Sequence, residues 1–340
     1  MASEVGRAAV GGAHVIDAPR VSVVVPVRDR RDLLRDLLAA LDVQTFRDFE
    51  LLVVDDGSVD GSAELAESTI VAGQPVRVLR QEGLGAVAAR QRGAAGSRGE
   101  VLAFTDSDCT PVPGWLAAGV ASIEAGAAMA HGRTRPSRPL LPLERSVGSG
   151  EEGLFPTCNV FYRRAVFDAA AGFDQEAPRR LGFRVNGRAR GLGFGEDTLL
   201  GWRVRRSGAD VRYVPDALVH HHVFPADLRD GVSRSWMAAA FPALIAEVPE
   251  LRRTLIRRRV LFGDRNRAPL YATAAAIVAR RPRLAALGAA WWALTRWHAI
   301  RRTPAPLRRQ LAALPQEMAL DVITATALVV GSARARTVAL

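Results

Sequence analysis

The sequence predicts an α/β fold: a mixed, mainly parallel sheet flanked by helices, followed by a C-terminal helical region. Three observations carry that expectation. Val21-Ser22-Val23-Val24-Val25 and Phe49-Glu50-Leu51-Leu52-Val53-Val54 are nearly continuous apolar runs, the pattern of strands buried on both faces of a parallel sheet. Between them Leu33, Leu34, Leu37, Leu38 and Leu41 recur at helical spacing. From about Gly231 onward the strand pattern gives way to helical segments.

Taken in order, residues 1–19 read as a loose tail, 20–230 as the α/β domain, and 231–340 as a basic helical region. The first strand is expected to stop at Pro26, which lacks a ladder donor. The second ends in Asp55-Asp56-Gly57-Ser58 and leads into a helix over 62–69. A short strand over 76–79, a helix over 86–95 carrying Arg90, and a strand over 101–104 follow. Strands alternating with helices predict a right-handed parallel arrangement, in which ligands bind beyond the carboxyl ends of the strands. That rule puts residues 26–30, 55–58 and 106–108 on one rim. The second half reads as a strand over 157–162, a helix over 164–170, a glycine-rich loop over 191–196, a helix over 197–207, and extended pieces over 211–214 and 217–221. Helices are expected over 236–248, 251–262, 269–279, 284–302 and 315–330, and flexible loops over 132–153 and 175–190.

Apolar residues at 49% and charged residues at 24% exclude a disordered chain. The net charge is +11 and every basic residue is Arg, a one-sidedness that fits a GC-rich genome and makes the count itself weak evidence of function. The placement says more, because Arg pairs and triplets cluster after residue 250. A solvated helix face explains them as well as a partner does; among partners a membrane surface is favoured, since no nucleic-acid-binding motif is present. Two cysteines make no disulfide framework, which points to a reducing cytoplasm. The first 19 residues lack a signal-peptide core, and no apolar stretch reaches membrane-spanning length uninterrupted. The expected location is cytoplasmic, with peripheral attachment at the inner face of the membrane as an option.

Thr105-Asp106-Ser107-Asp108 closes the apolar run Val101-Leu102-Ala103-Phe104. Two carboxylates at a strand end form either a solvated turn or a hard-oxygen site for Mg²⁺ or Mn²⁺ with positions left for diphosphate oxygens. Asp55-Asp56-Gly57-Ser58 is either a turn with a helix cap or a carboxylate that accepts a hydrogen bond from a base or ribose. Gly195-Glu196-Asp197 opens a helix, where the dipole favours acids, yet a carboxylate there can also serve as a general base. In His220-His221-His222 alternation separates His221 from its neighbours, leaving it as a core histidine or as one nitrogen of a mixed metal site. Cys109 reads as a small apolar filler.

The order of these pieces over about residues 20–225 resembles the family-2 glycosyltransferases of the GT-A (Rossmann-like) fold. The resemblance implies inverting, metal-dependent transfer of a single sugar from a nucleotide-diphosphate sugar to a hydroxyl acceptor, which includes glycans, small molecules and lipid-linked compounds. It implies that Pro26, Val27, Arg28 and Asp29 form the nucleotide-binding turn, that Asp56 contacts the base, and that Arg90, Asp106 and Ser107 belong to the nucleotide-sugar site. It makes Asp108 the direct metal ligand, Asp106 a ribose or metal contact, and His221 a late metal or diphosphate ligand, with His220 as a fallback. Asp197 matches the catalytic base and Glu196 an acceptor-binding partner. Gln91 stands where family members often carry Asn. The Gln-x-x-Arg-Trp motif of processive synthases is missing, with Arg234-Ser235-Trp236 only a partial echo. Two other readings remain: a nucleotidyltransferase, disfavoured because residues 25–30 contain no glycine, and a non-catalytic scaffold at a membrane surface.

Overall fold

The structure, a computed structural model, describes residues 18–183, 193–257, 261–262 and 267–340. Its centre is an eight-stranded sheet built from β1 (Val21–Val27), β2 (Phe49–Asp55), β3 (Arg77–Arg80), β4 (Val101–Phe104), β5 (Cys109–Pro111), β6 (Met129–Pro136), β7 (Val160–Arg163) and β8 (Val211–His221). The spatial order is β3-β2-β1-β4-β7-β6-β8-β5. The first four strands are mutually parallel, β7 runs antiparallel to both its neighbours, β6 and β8 are parallel, and β5 closes the edge antiparallel to β8. The chain winds outward from β1 through β2 and β3, then returns to place β4 on the other side of β1. Loops leaving β1 and β4 therefore diverge, and a crevice opens at that switch point.

Every residue of β1, β2 and β4 is buried. Alternation sends Val23, Val25, Leu51 and Val53 to one face, where they meet α1 (Arg31–Asp42) through Leu34, Leu37 and Leu41 and α2 (Ser62–Glu67) through Ala66. Trp115 and Leu116 of α4 (Trp115–Glu124) cover the same face. Val24, Val54, Leu102 and Phe104 point to the other face, against α3 (Ala86–Gly96), α5 (Arg164–Ala169) and α6 (Glu196–Arg206). Phe104 stacks on Phe167 at 5.6 Å and meets Phe173 edge-on at 5.1 Å. Each such side chain contributes about 1.5–3 kcal/mol of burial, so the two faces hold the strand ends, and the loops they carry, in place.

Several expectations need correction. β1 continues through Pro26 to Val27. The Val24 carbonyl accepts from Thr105 on the β4 side and the Val27 carbonyl accepts from Asp56 on the β2 side. By alternation Pro26 faces the β4 side, where pairing has already ended opposite Val24, so its missing N–H costs nothing. The stretch 157–162 is a 3₁₀ turn at Thr157–Asn159 followed by β7. Residues 211–221 form one strand, interrupted by a register shift between Val214 and Leu218. Gly132–Pro136, expected in a loop, belongs to β6. Helix α4, strand β5 and the start of β6 carried no expectation from sequence.

The helix expected over 236–248 is split into α7 (Leu228–Met237), a 3₁₀ turn at Ala238–Ala240 and α8 (Phe241–Glu247), because Pro242 cannot donate within a continuous helix. The stretch expected as helix over 251–262 holds, among its described residues, a single turn at Arg252–Leu255 and two short strands, Ile256–Arg257 and Leu261–Phe262, paired antiparallel. Leu251 and Ile256 are both buried in one cluster; five residues apart they would lie roughly 140° apart on a helix, so the backbone extends instead. Then come α9 (Ala268–Val278), α10 (Pro282–Ile300) and α11 (Leu307–Ala335).

The last of these corrects the expectation about apolar length. Among the described residues α11 is long and apolar enough, by length and composition, to cross a membrane, although a third of its apolar window is buried inside the fold. Asp321 within it is 1% exposed and accepts from Arg296 Nη2 at 2.6 Å and from Trp292 Nε1 at 3.1 Å. Those bonds tie α11 to α10.

Candidate active site

The loops beyond β1, β2 and β4, together with the start of α6, enclose a cavity of about 550 Å³. Pro26, Val27, Arg28, Asp56, Arg90, Asp106, Ser107, Asp108, Glu196 and Asp197 all line it. Asp108 and Asp197, 89 positions apart in sequence, therefore face one space. Asp29 does not line it: with φ at +50 its carboxylate turns back to accept from the Val59 amide at 2.9 Å. Its own amide donates to Ser58 Oγ at 3.0 Å, so Asp29 braces the rim from outside.

Asp56 is buried, and its carboxylate is already engaged. Oδ1 accepts from Gln81 Nε2 and the Leu84 amide, both at 2.8 Å, and Oδ2 accepts from the Gly85 amide at 2.9 Å. The carboxylate holds the loop from Gln81 to Gly85 against the end of β2, and Arg28 Nη1 stands 3.7 Å from Oδ2. Arg30, not singled out by sequence, also lines the cavity. Its guanidinium lies 4.7 Å from the centre of the Phe224 ring, which Arg145 also contacts at 4.0 Å. Cation–π contact keeps Arg30 at the mouth.

Deeper in, Arg90 of α3 joins the acidic clusters. Its Nη2 reaches Asp106 Oδ1 at 2.5 Å and its Nη1 lies 3.6 Å from Glu196 Oε1. Burial alone would drive the guanidinium toward neutrality, but Asp106 and Glu196 outweigh it and hold Arg90 charged. Gln91, the next residue, leaves the cavity and accepts from the Phe173 amide at 3.0 Å.

Glu196 and Asp197 reach the cavity because Gly195 adopts φ +78, a left-handed turn into α6. A side chain at Gly195 would also meet Leu181 Cδ1 at 2.6 Å. Burial pushes the Glu196 carboxyl up, with Arg90 opposing, and Glu196 Oε2 is buried without a hydrogen-bond partner. Burial, reinforced by the Glu196 charge, pushes Asp197 up to about 7 against the pull of the Thr198 amide. That amide donates to Asp197 Oδ1 at 2.6 Å and fixes the carboxyl's orientation.

On the far side, β8 and β5 place His221 directly opposite Cys109. His221 Nε2 stands 3.4 Å from Asp108 Oδ1, and Nδ1 lies 2.9 Å from the His222 carbonyl. Asp108, Cys109 and His221 each offer one ligand atom within 4.8 Å of the others. Carboxylate and imidazole suit a divalent ion such as Mg²⁺ or Mn²⁺. The Cys109 thiol fits that donor set less well: burial beside Cys158 pushes its ionisation well above the ordinary range. Burial and Asp106 also push the Asp108 carboxyl up, while His221 and Arg30 oppose.

Asn159, unremarked in the sequence, sets the course of β8. Its Oδ1 accepts from Trp115 Nε1 at 2.8 Å, and its Nδ2 donates to the carbonyls of Arg133 at 3.0 Å and Ala217 at 2.8 Å. Ala217 lies in the register shift, so the amide satisfies a carbonyl that the ladder leaves behind. The strand then resumes toward His221.

Residues 22–168 match Glycosyl transferase family 2. Among curated proteins, glycosyltransferase AglE of Haloferax volcanii is 40% identical over 31% of this chain and 36% of its own length. The pre-mycofactocin glycosyltransferase of Mycobacterium tuberculosis is 32% identical over 63% of this chain and 45% of its own length. The chain thus spans less than half the length of these relatives. Two solved structures share the fold: the mannosyltransferase PcManGT of Pyrobaculum calidifontis, at 16% identity, covers 94% of this chain and 88% of its own with a TM-score of 0.54. TarS (1–349) of S. aureus, at 17% identity, covers 94% and 92% with a TM-score of 0.51. The chain is thus similar, over residues 22–168, to glycosyltransferase family 2, and it has a GT-A fold.

Proposed function

We propose that the chain transfers a single sugar, with inversion, from a nucleotide-diphosphate sugar to a hydroxyl acceptor. The observation that carries this reading is the shared cavity of Asp108 and Asp197. The Asp197 carboxylate accepts the proton of the acceptor hydroxyl as its oxygen attacks the anomeric carbon. The bond from that carbon to the diphosphate breaks, and its electron pair leaves with the diphosphate. With its acidity shifted to about 7, Asp197 is matched to proton transfer near neutral pH. Glu196 lines the same cavity, which puts its carboxylate beside the acceptor or the sugar. Arg28 and Arg30 supply positive charge along the diphosphate side, and Asp106 and Ser107 lie beside them for ribose or sugar contacts. Pro26, Val27 and Asp56 form the floor on which the base would lie, with Asp29 bracing that turn from behind.

Asp108 and His221, with Asp106 alongside, are the residues that would hold Mg²⁺ or Mn²⁺. When bound, such an ion supplies charge that stabilises the departing diphosphate. Supporting the reading, PcManGT was solved in complex with GDP-Man and Mn²⁺ and TarS with UDP-GlcNAc. These two donors differ in both base and sugar, so the donor here is stated by class only. The acceptor is a hydroxyl compound, lipid-linked acceptors included. Cys109 and Cys158 are both free thiols, which fits a reducing compartment, and we place the reaction in the cytoplasm.

The test is a thermal-shift screen of nucleotide-diphosphate sugars with and without Mn²⁺, followed by turnover of any stabilising donor. Stabilisation by at least one donor that depends on Mn²⁺ supports the reading. Uniform indifference to the whole panel contradicts it.

A further inference from the structure

Helices α9 and α10 form an antiparallel hairpin whose outer side is apolar and uncovered. Leu284, Leu287, Trp291 and Leu294 are 57%, 66%, 46% and 69% exposed. Steps of three, four and three residues confine them to a single stripe of α10, about 15 Å long at 1.5 Å per residue. The opposite side of the same helix is the packed one, with Gly288, Trp292, Arg296 and Ile300 buried. Ile277 and Val278, at the end of α9, are also exposed, 63% and 85%. The hairpin is held rigid by close approach: a side chain at Gly288 would collide with Thr273 of α9.

Charge decides what covers this patch. Residues 268–302 contain no Asp or Glu. Arg280, Arg281 and Arg283 are exposed at the turn, and Arg301 and Arg302 are exposed at the far end. A second copy would bring arginines against arginines. A bilayer with anionic headgroups complements both features, receiving Leu and Trp side chains into its interface while guanidiniums meet phosphates. Contiguous apolar surface with a basic rim is the signature of such a contact. α11, although longer, is fastened inward by Asp321 and leaves this role to the hairpin.

We infer that the α9–α10 hairpin docks the protein on an anionic phospholipid surface, with the stripe from Leu284 to Leu294 inserted at the headgroup level. The inference stands apart from the transfer reaction, because its readout is binding alone.

Sedimentation with phosphatidylglycerol-containing vesicles and with pure phosphatidylcholine vesicles tests it. The wild-type chain should partition at least tenfold more strongly onto the anionic vesicles, with the Trp emission shifted to the blue. Raising the salt from about 0.05 to 0.5 M should weaken that partition. A Leu287→Gln/Leu294→Gln double variant, and separately Arg281→Gln/Arg283→Gln, should each lose at least fivefold while keeping the wild-type melting temperature. Absence of wild-type binding, or full binding by the leucine variant, overturns the inference. So does a wild-type dimer that the leucine variant converts to monomer, since the stripe would then belong to a second copy.

Discussion

Arg90 Nη2 stands 2.5 Å from Asp106 Oδ1, and through its other nitrogen the same guanidinium faces Glu196. One buried cation thus joins the acidic loop after β4 to the start of α6, the two elements on which the proposed chemistry depends. Arg90→Ala removes the cation and leaves two acids facing each other. It should cost about 3–5 kcal/mol of stability, as breaking a buried pair does, and lower kcat/KM at least a hundredfold. Arg90→Lys should fold better yet recover little activity, because an ammonium cannot span both carboxylates. Chemical denaturation and steady-state kinetics on both variants check this.

The acidity of Asp197, the proposed base, should set the pH profile. It is raised to about 7 by burial and by Glu196, with Arg90 and Thr198 opposing. Only the carboxylate accepts a proton, so log(kcat/KM) should rise with unit slope below about pH 7 and level off above it. The group's effect on stability runs the other way. Between the unfolded value of 3.8 and about 7 the folded state holds the proton more tightly, so stability falls as pH rises through that window. Asp197→Asn should therefore raise the melting temperature at pH 8, by about 2–5 °C.

Removal of the proposed metal ligands should separate metal binding from nucleotide binding. Asp108→Asn and His221→Ala should each weaken Mn²⁺ binding, followed by calorimetry, at least tenfold, and leave donor binding in EDTA within a factor of about two. Cys109→Ser should keep Mn²⁺ affinity close to wild type, since its thiol stays protonated. A loss at Cys109 as large as at Asp108 would show that sulfur belongs to the ligand set.

Asn159→Ala strips three hydrogen bonds from buried partners, Trp115 Nε1 and the carbonyls of Arg133 and Ala217. Each orphaned group costs about 1–3 kcal/mol. The variant should lose about 3 kcal/mol or more in urea denaturation, and the released strand should loosen His221 and weaken Mn²⁺ affinity. Unchanged stability would mean that β8 does not depend on the amide.

The part of the site that was legible in sequence is the part built on strand ends. Buried strands leave long apolar runs, and the acids that follow them fall on one rim by topology, which is where Asp56, Asp106 and Asp108 lie. Asp197 needed the glycine at 195 as its signal. The rest left no trace for physical reasons. The clamp on Asp56 uses backbone amides of Leu84 and Gly85, which any sequence supplies. Arg30 is held by Phe224, almost two hundred positions away, and an isolated aromatic does not announce its partner. Asn159 acts on a register shift that exists only once β6 and β8 pair. Helix α4 begins at Trp115, inside a stretch whose apolar residues suit several structures, and β5 is only three residues long.

The most direct measurement is sugar transfer by Asp197→Asn with the donor that stabilises the wild-type chain. Turnover should fall at least a thousandfold while the Mn²⁺-dependent affinity for donor stays within about threefold of wild type. Turnover at the wild-type rate would contradict the account, because it would take the proton from the acceptor without the carboxylate proposed to receive it.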